Sequence, residues 1–310
     1  MSTLPLRRRP VPASPIDEAL FDFIAAHPVP AMPFDPRWGL TKLVSGPGAI
    51  LDLADVAGRR VAVAVLVDTC SNAADAANFA LLGIDPGCDR QALADRLLQE
   101  AEAAMPGSRR RHLEIEATDL FLDWEARLVA RGYREAYRMY LMRRALDGPP
   151  PPVPPLPDGL SWGRPTEATM RSQHDAVRRA MAPVPGSSIP DFDSFAVRAM
   201  ALAENHGLIL QGDRVAGFLR VHPPEAPGGE GDVGLIGRDP EFRGGRLGDV
   251  LVAESLRRLH AAGAGSAVLD VAAANDAALA LYRRHGFAVS ETIPVFAKAF
   301  PEAGPLESPR

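Results

Sequence analysis

The sequence predicts an α/β protein built as two tandem domains, each a mixed, mostly antiparallel sheet flanked by helices. Three observations carry this. Strand-like apolar runs alternate with amphipathic helical segments along the chain. A proline-rich stretch, residues 148–157, divides the 310 residues almost in half. Proline at that density forms neither helix nor central strand and reads as a semi-rigid spacer. The two halves also repeat each other. Gly58, Arg60, Val61 and Ala62 recur as Gly212, Arg214, Val215 and Ala216. Gly83, Asp85 and Pro86 recur as Gly237, Asp239 and Pro240, and Leu93, Asp95 and Leu97 as Leu247, Asp249 and Leu251. Gly132-Tyr133 recurs as Gly286-Phe287, and every pair lies 154 residues apart. One offset held through a hairpin, a strand-helix turn and a closing Gly-aromatic pair implies duplication of a single fold. The expected division is a first domain over 1–147, a linker over 148–157 and a second domain over 158–310.

Each element has a local cause. Arg7-Arg8-Arg9 is followed by no apolar stretch, so the start is no secretory signal and reads as unstructured. Ser14 as N-cap and Pro15 at the first helical position open a helix with Ile16, Leu20, Phe23 and Ile24 on its apolar face, ended by Pro28. Residues 49–53 and 60–67 read as strands around Gly58, and 77–84 as a further strand. A helix over 89–104 puts Leu93, Leu97 and Leu98 on one side, and strand 112–117, helix 120–131 and strand 137–143 complete the half. The second half opens with strand 160–164, a helix over 166–181 capped by Thr166, and a helix over 192–204. Strands 207–211 and 214–222 form a hairpin around Gly212-Asp213, before a Pro/Gly loop over 223–231. Strand 233–238, helix 249–262, strand 267–272, a helix from Asn275 and a last strand over 294–300 follow. Leu251, Val252, Leu256 and Leu259 have plain core spacing.

Composition narrows the function. Apolar content of 46% and charged content of 24% are those of a soluble globular protein. A formal charge of −5 leaves no basic footprint and argues against nucleic acid as a main partner. The longest strongly apolar run, 61–67, is far too short to span a membrane. Cys70 and Cys88 form no C-x-x-C pair, so no disulfide framework is expected and a reducing cytoplasm fits. The seven histidines are scattered without ligand spacing, so no metal is expected.

The chemistry concentrates between residues 233 and 287. A strand leads through Asp239-Pro240-Glu241-Phe242 into Arg243-Gly244-Gly245-Arg246-Leu247-Gly248, then into the helix containing Asp249. Strand, glycine-rich turn and helix in that order form an anion cradle. The first amides of the helix lack partners within it, and its dipole favours negative charge there. Gly244, Gly245 and Gly248 let the main chain approach a diphosphate, and Arg243 and Arg246 add charge. One strand later, Asn275 is a good N-cap for the helix that carries Tyr282, the one tyrosine of the second half. A phenol is protonated at neutral pH and suits a general acid. The same residue also suits a core position beside Ala278, Leu279 and Leu281.

These residues resemble the GNAT superfamily of acetyl-CoA-dependent N-acetyltransferases. That family's later segment reads N-x-x-A-x-x-L-Y-x-x-x-G-F, and Asn275, Ala278, Leu281, Tyr282, Gly286 and Phe287 match each defined position. Its turn reads Q/R-x-x-G-x-G/A. Arg243 and Gly248 match, while Arg246 stands where the middle glycine is usual and Gly245 lies one place earlier. Arg238 stands where the family has an apolar residue. The similarity runs over 158–300, with a weaker echo over 14–145.

The resemblance implies acetyl-CoA as cosubstrate, an acceptor that is a small-molecule or peptide amine, and direct transfer without a metal. It implies that residues 243–249 hold the diphosphate and that N–H groups of Ile236, Gly237 and Arg238 polarise the thioester carbonyl. Asn275 and Ala278 would lie along the cofactor arm, and Tyr282 would protonate the departing thiolate. The base would be an acid on the fourth strand, for which Asp232 is preferred to Glu230 and Glu241. Asp239 reads instead as a turn residue, because Asp85 holds its place in the other half, and His285 as a surface residue. The first half has Asp89 in place of Arg243 and Leu128 in place of Tyr282. An acid there repels a diphosphate, so the first domain is expected to be degenerate and the second catalytic. The competing reading is a non-catalytic, regulatory acyl-CoA-binding module.

Overall fold

Backbone hydrogen bonding reproduces the 154-residue repeat almost element by element. The computed structural model describes residues 5–11, 18–29, 48–67, 76–105, 110–117, 123–185, 187, 189–242 and 246–300. The first half contains β1 (Leu6–Val11), α1 (Glu18–Ala26), β2 (Gly48–Ala54), β3 (Arg60–Val67), β4 (Ala76–Ile84), α2 (Arg90–Ala104), β5 (His112–Glu116), α3 (Trp124–Ala130) and β6 (Arg134–Ala145). The second contains β7 (Ser161–Gly163), α4 (Glu167–Met181), α5 (Phe192–Ala201), β8 (His206–Gln211), β9 (Arg214–His222), β10 (Glu230–Arg238), α6 (Leu247–Ala261), β11 (Ser266–Ala272), α7 (Asp276–Arg284) and β12 (Ala288–Ala299). Strands β4 and β10 have the same bounds shifted by 154 residues, and so do β6 and β12.

Three local devices recur with the strands. Asp85 Oδ1 accepts from Gly87 N at 2.8 Å, and Asp239 Oδ1 accepts from Glu241 N at 3.1 Å. The same turns close by Cys88 N to Asp85 O and Phe242 N to Asp239 O. Asp239 is therefore a turn residue, as its partner Asp85 suggested. Helices α3 and α7 end alike. Tyr133 N donates to Leu128 O and Gly132 N to Val129 O; Phe287 N donates to Tyr282 O and Gly286 N to Arg283 O. This is the Schellman arrangement, which needs a left-handed residue, supplied by Gly132 at φ 86° and Gly286 at φ 79°. Finally, Asp95 on α2 lies 4.0 Å from Arg131, and Asp249 on α6 lies 3.0 Å from His285.

Described residues group into two compact units, drawn from 1–136 with 294–310 and from 137–293. In the first, the strand order is β1-β2-β3-β4-β5, with Val295–Ala299 of β12 antiparallel to β5. Only β4 and β5 run parallel there. The sheet sends alternate side chains to opposite faces. Leu51, Leu53, Ala62 and Phe79 pack with Leu93, Leu97 and Leu98 of α2, while Ile50, Val63, Val65 and Leu82 pack with Leu20 and Ile24 of α1. In the second unit the order is β6-β11-β10-β9-β8-β7. Met170, Val177 and Phe195 of α4 and α5 cover one face, and Leu251, Leu256 and Leu259 of α6, with Leu279 of α7, the other. Most of β6, residues 137–145, is thus built into the second unit, and the end of β12, residues 294–299, into the first.

Several expectations change. The start of the chain is not unstructured over residues 6–11: β1 pairs with β2 from Leu6↔Leu53 to Val11↔Gly48, and Leu6 packs on the first core. The proline-rich residues 148–157 fall inside the second unit, where Val153 and Leu156 pack on its core. β12 starts six residues before the expected 294, and β10 three residues before the expected 233. Helix 192–204 ends at Ala201, with a 3-10 turn at Ala203–Asn205. Thr166 caps α4 as read, with Thr169 completing a capping box. Ser14, Pro15, Ile16 and Cys70, and the first residues of the helix read from 120, lie outside the described residues.

Two predictions follow from this frame. Gly132→Ala and Gly286→Ala should each lower unfolding free energy by about 1–2 kcal/mol in urea denaturation, because an L side chain in the left-handed region costs that much. Asp239 is buried and takes two hydrogen bonds from the half-exposed Arg179, at 3.2 and 2.6 Å. Burial opposes ionisation there, but the Arg179 and backbone hydrogen bonds prevail and hold the carboxyl below its usual range. Such a group stabilises the fold above the unfolded-state value near 4, and this is lost as pH falls through the lower folded value. Asp239→Asn should therefore cost about 1–2 kcal/mol at pH 7, because the half-exposed Arg179 left behind is solvated. The gap to wild type should close in urea titrations carried below pH 4.

Candidate active site

β10 and β11 part company in the middle of the second sheet. Their parallel ladder covers Glu230↔Ser266, Gly231↔Ala267 and Asp232↔Val268, after which the strands continue to Arg238 and Ala272. On its other edge β10 stays bonded to β9, with one extra residue bulged between Asp232↔His222 and Leu235↔Arg220. Alternate amides of β10 beyond Asp232 point towards β11 without a ladder partner there. Gly234 sits in the bulge. A Cβ on it would come within 2.8 Å of Asp232 Oδ2 and 2.9 Å of His222 Nε2. Glycine is needed because the bulge presses the backbone against these two side chains.

Asp232 is buried, 6% exposed, at the point of divergence. The other two candidate bases are engaged elsewhere. Glu230 is paired with Arg143 of β6; burial raises its affinity for a proton, and Arg143 opposes this. Glu241 is exposed and paired with Arg214. Ile236 and Gly237 are half-buried on β10, while Arg238 points outward and donates to Phe242 O at 3.2 Å. Sequence reasoning passed over Arg220 and His222 on β9. Their signal was alternation: two polar residues two apart in an otherwise apolar strand.

The anion cradle is partly described. Arg243, Gly244 and Gly245 lie outside the described residues. Arg246 is the N-cap of α6 at φ 55°, ψ 25°, so arginine itself occupies the left-handed conformation that favours glycine, at the place where the family turn usually has one. Its side chain is exposed and makes no cap hydrogen bond, and among the described residues no side chain caps the first-turn amides of α6, near Leu247 and Gly248. Gly248 has another task. A Cβ there would lie 3.0 Å from Leu281 Cδ2, so the glycine lets α6 and α7 approach. Asp249 turns towards α7, 3.0 Å from His285 Nε2 and 3.4 Å from Arg284. Burial raises its affinity for a proton, but these two partners outweigh that and keep the carboxyl below its usual range. His285 is therefore no surface residue; it ties the end of α7 to the first turn of α6.

Tyr282 lies on α7, 7% exposed, and burial followed by the charge of Asp270 pushes its phenol well above the usual tyrosine value. It remains protonated through the neutral range. Its ring meets Phe287 edge-on at 6.1 Å, the apolar contact that accompanies the cap at Gly286. Asn275 Oδ1 accepts from Ala278 N at 3.2 Å and caps the helix at its start. Arg144 of β6 donates to His285 O at 2.6 Å and satisfies its end. The lone phenol of the second half is not alone in the second unit, because β6 carries Tyr137 and Tyr140 into it, and Tyr140 packs on the same core.

The first unit differs at each of these points. Asp89 Oδ1 accepts from Ala92 N at 3.1 Å and caps α2, filling the helix end that α6 leaves uncapped. β3 and β4 keep register from Asn78 to Leu81, and the parallel ladder of β4 with β5 runs four pairs, to Phe79↔Ile115. Leu66, Asn78, Ala80 and Leu128 stand for Arg220, Asp232, Gly234 and Tyr282.

Known proteins fit this geometry. The Acetyltransferase (GNAT) family matches residues 175–287. A mycothiol acetyltransferase from Geodermatophilus obscurus is 32% identical, over 66% of this chain and 69% of its own length. The mycothiol acetyltransferase of Catenulispora acidiphila is 32% identical, and the chain spans about half of it, 52%. A tandem GNAT protein from the clavulanic acid biosynthesis pathway shares the fold at a TM-score of 0.69, with 17% identity over 97% of this chain and all of that one. With a relative above 30% identity matched over two thirds of its length, the chain belongs to the GNAT acetyltransferase family, in tandem form.

Proposed function

We propose that the chain is an N-acetyltransferase that moves the acetyl group of acetyl-CoA to a primary amine, with catalysis in residues 158–310 and none in 1–147. The observation that carries this is the divergence of β10 from β11 at the Asp232–Leu235 bulge, with the uncapped end of α6 following the same strand. Acetyl-CoA supplies an acyl group activated as a thioester. The residues present suit it. First-turn amides from Leu247 onward, with Arg246 and the family-matched Arg243, would hold the diphosphate. Those alternate β10 amides within 236–238 that face away from β9 would donate to the carbonyl oxygen, where negative charge develops. Asn275 and Ala278 would line the cofactor arm. Asp232 would accept the ammonium proton, so that the amine attacks as a free base. Tyr282 would hold the proton delivered to the departing sulfur. The shared name of the curated relatives, mycothiol acetyltransferase, supports acetyl transfer. In the first unit the Asp89 cap, with Leu128 in the place of Tyr282, argues against a second cofactor site.

Calorimetry of the full chain with acetyl-CoA tests the cofactor assignment, and absence of binding at millimolar ligand would reject it. Thiol release with a panel of primary amines, a mycothiol-precursor amine among them, separates enzyme from regulatory module. Tyr282→Phe should lower kcat by about 10²-fold or more while acetyl-CoA still binds. Tyr140→Phe, the control from β6, should leave kcat within a few-fold. Equal rates for wild type and Tyr282→Phe would remove the phenol from the mechanism.

A further inference from the structure

Arg220 faces the bulge on the side of the sheet covered by α4 and α5, and Arg198 of α5 is a second cation whose charge reaches it. Arg220 on β9 lies opposite His206 on β8 and Leu235 on β10, and its Nη2 donates to Gly234 O at 3.3 Å. Its Nε is buried without a hydrogen-bond partner, and the residue forms no ion pair among the described residues. Arg198 on α5 is half-buried and likewise forms none. Arg220 senses the charge of Arg198. Burial first, and the charge of Arg198 with it, bring Arg220 down to about 10 against the single opposing charge of Asp232; burial also lowers Arg198. The field reaches His206, held neutral at about 3 by burial, by Arg220 and by Arg258. His206 is 1% exposed, takes a 3.0 Å hydrogen bond with Gln173, and leaves Nε2 unpartnered, as Gln173 leaves Oε1. Arg258 does not add to the surplus, because Glu254 neutralises it at 2.8 Å.

Two desolvated like charges beside one carboxylate destabilise the empty protein, and a bound anion relieves this. The arrangement is absent from the duplicate, where Leu66 stands for Arg220 and Asn78 for Asp232. It therefore belongs to the half with the bulge and not to the common fold. We propose that Arg220 and Arg198 bind an anionic group of the acceptor, a carboxylate or a phosphate, so that the acceptor is a primary amine with an anion on the same small fragment. The assignment rests on the acetyl-transfer reading, because the anion is placed by its distance from the bulge at which the amine would react. Arg220 is bonded to Gly234 O, so the anion lies next to the reacting nitrogen, as in an amino acid or a short aminoalkyl phosphate.

The test uses the full chain, acetyl-CoA and three matched amines: an amino acid, its carboxamide and an aminoalkyl phosphate. At least one anionic amine should exceed the carboxamide by about tenfold or more in kcat/KM, chiefly through KM. Arg198→Gln should bring that ratio towards one. The preferred anion distinguishes carboxylate from phosphate. Carboxamide turned over as well as both anions would overturn the proposal and leave acetyl transfer intact. A second readout is independent of turnover. The preferred anionic amine should raise the Tm of wild type more than that of Arg198→Gln, and ligand-free Arg198→Gln should melt no lower than wild type, since a like charge has been removed. A lower Tm for the ligand-free variant would mark Arg198 as a structural contact and sink the assignment. Were no amine to release thiol, the acetyl-transfer reading would fail, and Tm shifts alone would decide whether the anion site exists.

Discussion

A single interruption of backbone pairing organises the second unit. The parallel ladder between β10 and β11 stops at Asp232, one residue before the bulge containing Gly234. Ladder hydrogen bonds are given up in the middle of a sheet, where unpaired polar groups are costly. The interruption is tolerated because both strands keep their other neighbours: β10 stays paired with β9 on both sides of the bulge, and β11 with β6 over seven pairs. Divergence creates a slot lined by main-chain amides, with a buried acid at its apex. Both helices that end near the slot follow directly from these strands, since α6 continues β10 and α7 continues β11. Strand pairing thus sets where the helix ends fall.

Those helix ends are built in opposite ways. α7 is closed at both ends, by Asn275 at its start and by the Gly286 turn with Arg144 at its finish. Closure fixes the ring of Tyr282, because the residue that caps over it, Phe287, packs against it. The start of α6 is left open and carries local strain. Arginine at φ 55° costs about 1–2 kcal/mol relative to an ordinary backbone conformation, and strain of this size persists at binding sites when its surroundings hold it. The Asp249–His285 contact supplies that hold by fastening the first turn of α6 to the end of α7. The turn proposed to hold an anion and the phenol proposed to donate a proton, which lie on separate helices, are in this way mechanically one part.

Much of this was legible in the sequence, for reasons that are local. Turn glycines, caps and the L-Y-x-x-x-G-F segment encode interactions between residues close in the chain, so their spacing is itself the structure. Gly286 and Phe287 could be read because a left-handed cap and its apolar contact demand those residue types in that order. Exchange of the last strands could not be read. β6 and β12 are copies of one strand, with the same bounds relative to each repeat, so neither carries a pattern that assigns it to its own sheet. The exchange is what adds Tyr137, Tyr140, Arg143 and Arg144 to the second unit. His285 was misread for a related reason: its partner Asp249 lies 36 residues away, in another helix. β1 was missed because three arginines in a row mask an edge strand whose evidence is its partner β2. Arg246 was legible as a departure from the family turn, but not as the residue that takes the glycine conformation itself.

Comparison of the two copies separates what the fold requires from what a ligand requires. Features that both copies keep, such as the Asp85 and Asp239 turns, the Gly132 and Gly286 caps and the Asp95 and Asp249 contacts, stabilise the frame. Features of one copy alone run in a consistent direction. Where the second unit has an uncapped helix, an interrupted ladder and charged residues on β9, the first has a capped helix, a longer ladder and Leu66. At the helix start the difference leaves the first unit the more satisfied, since Asp89 caps α2 where Arg246 does not cap α6. A domain released from binding is free to acquire caps and pairings that raise its stability, whereas a binding domain keeps unsatisfied groups for its ligand. By that argument the groups left unsatisfied in the second unit, including the amides at the start of α6 and Arg220 Nε, support the proposals that place negative charge there.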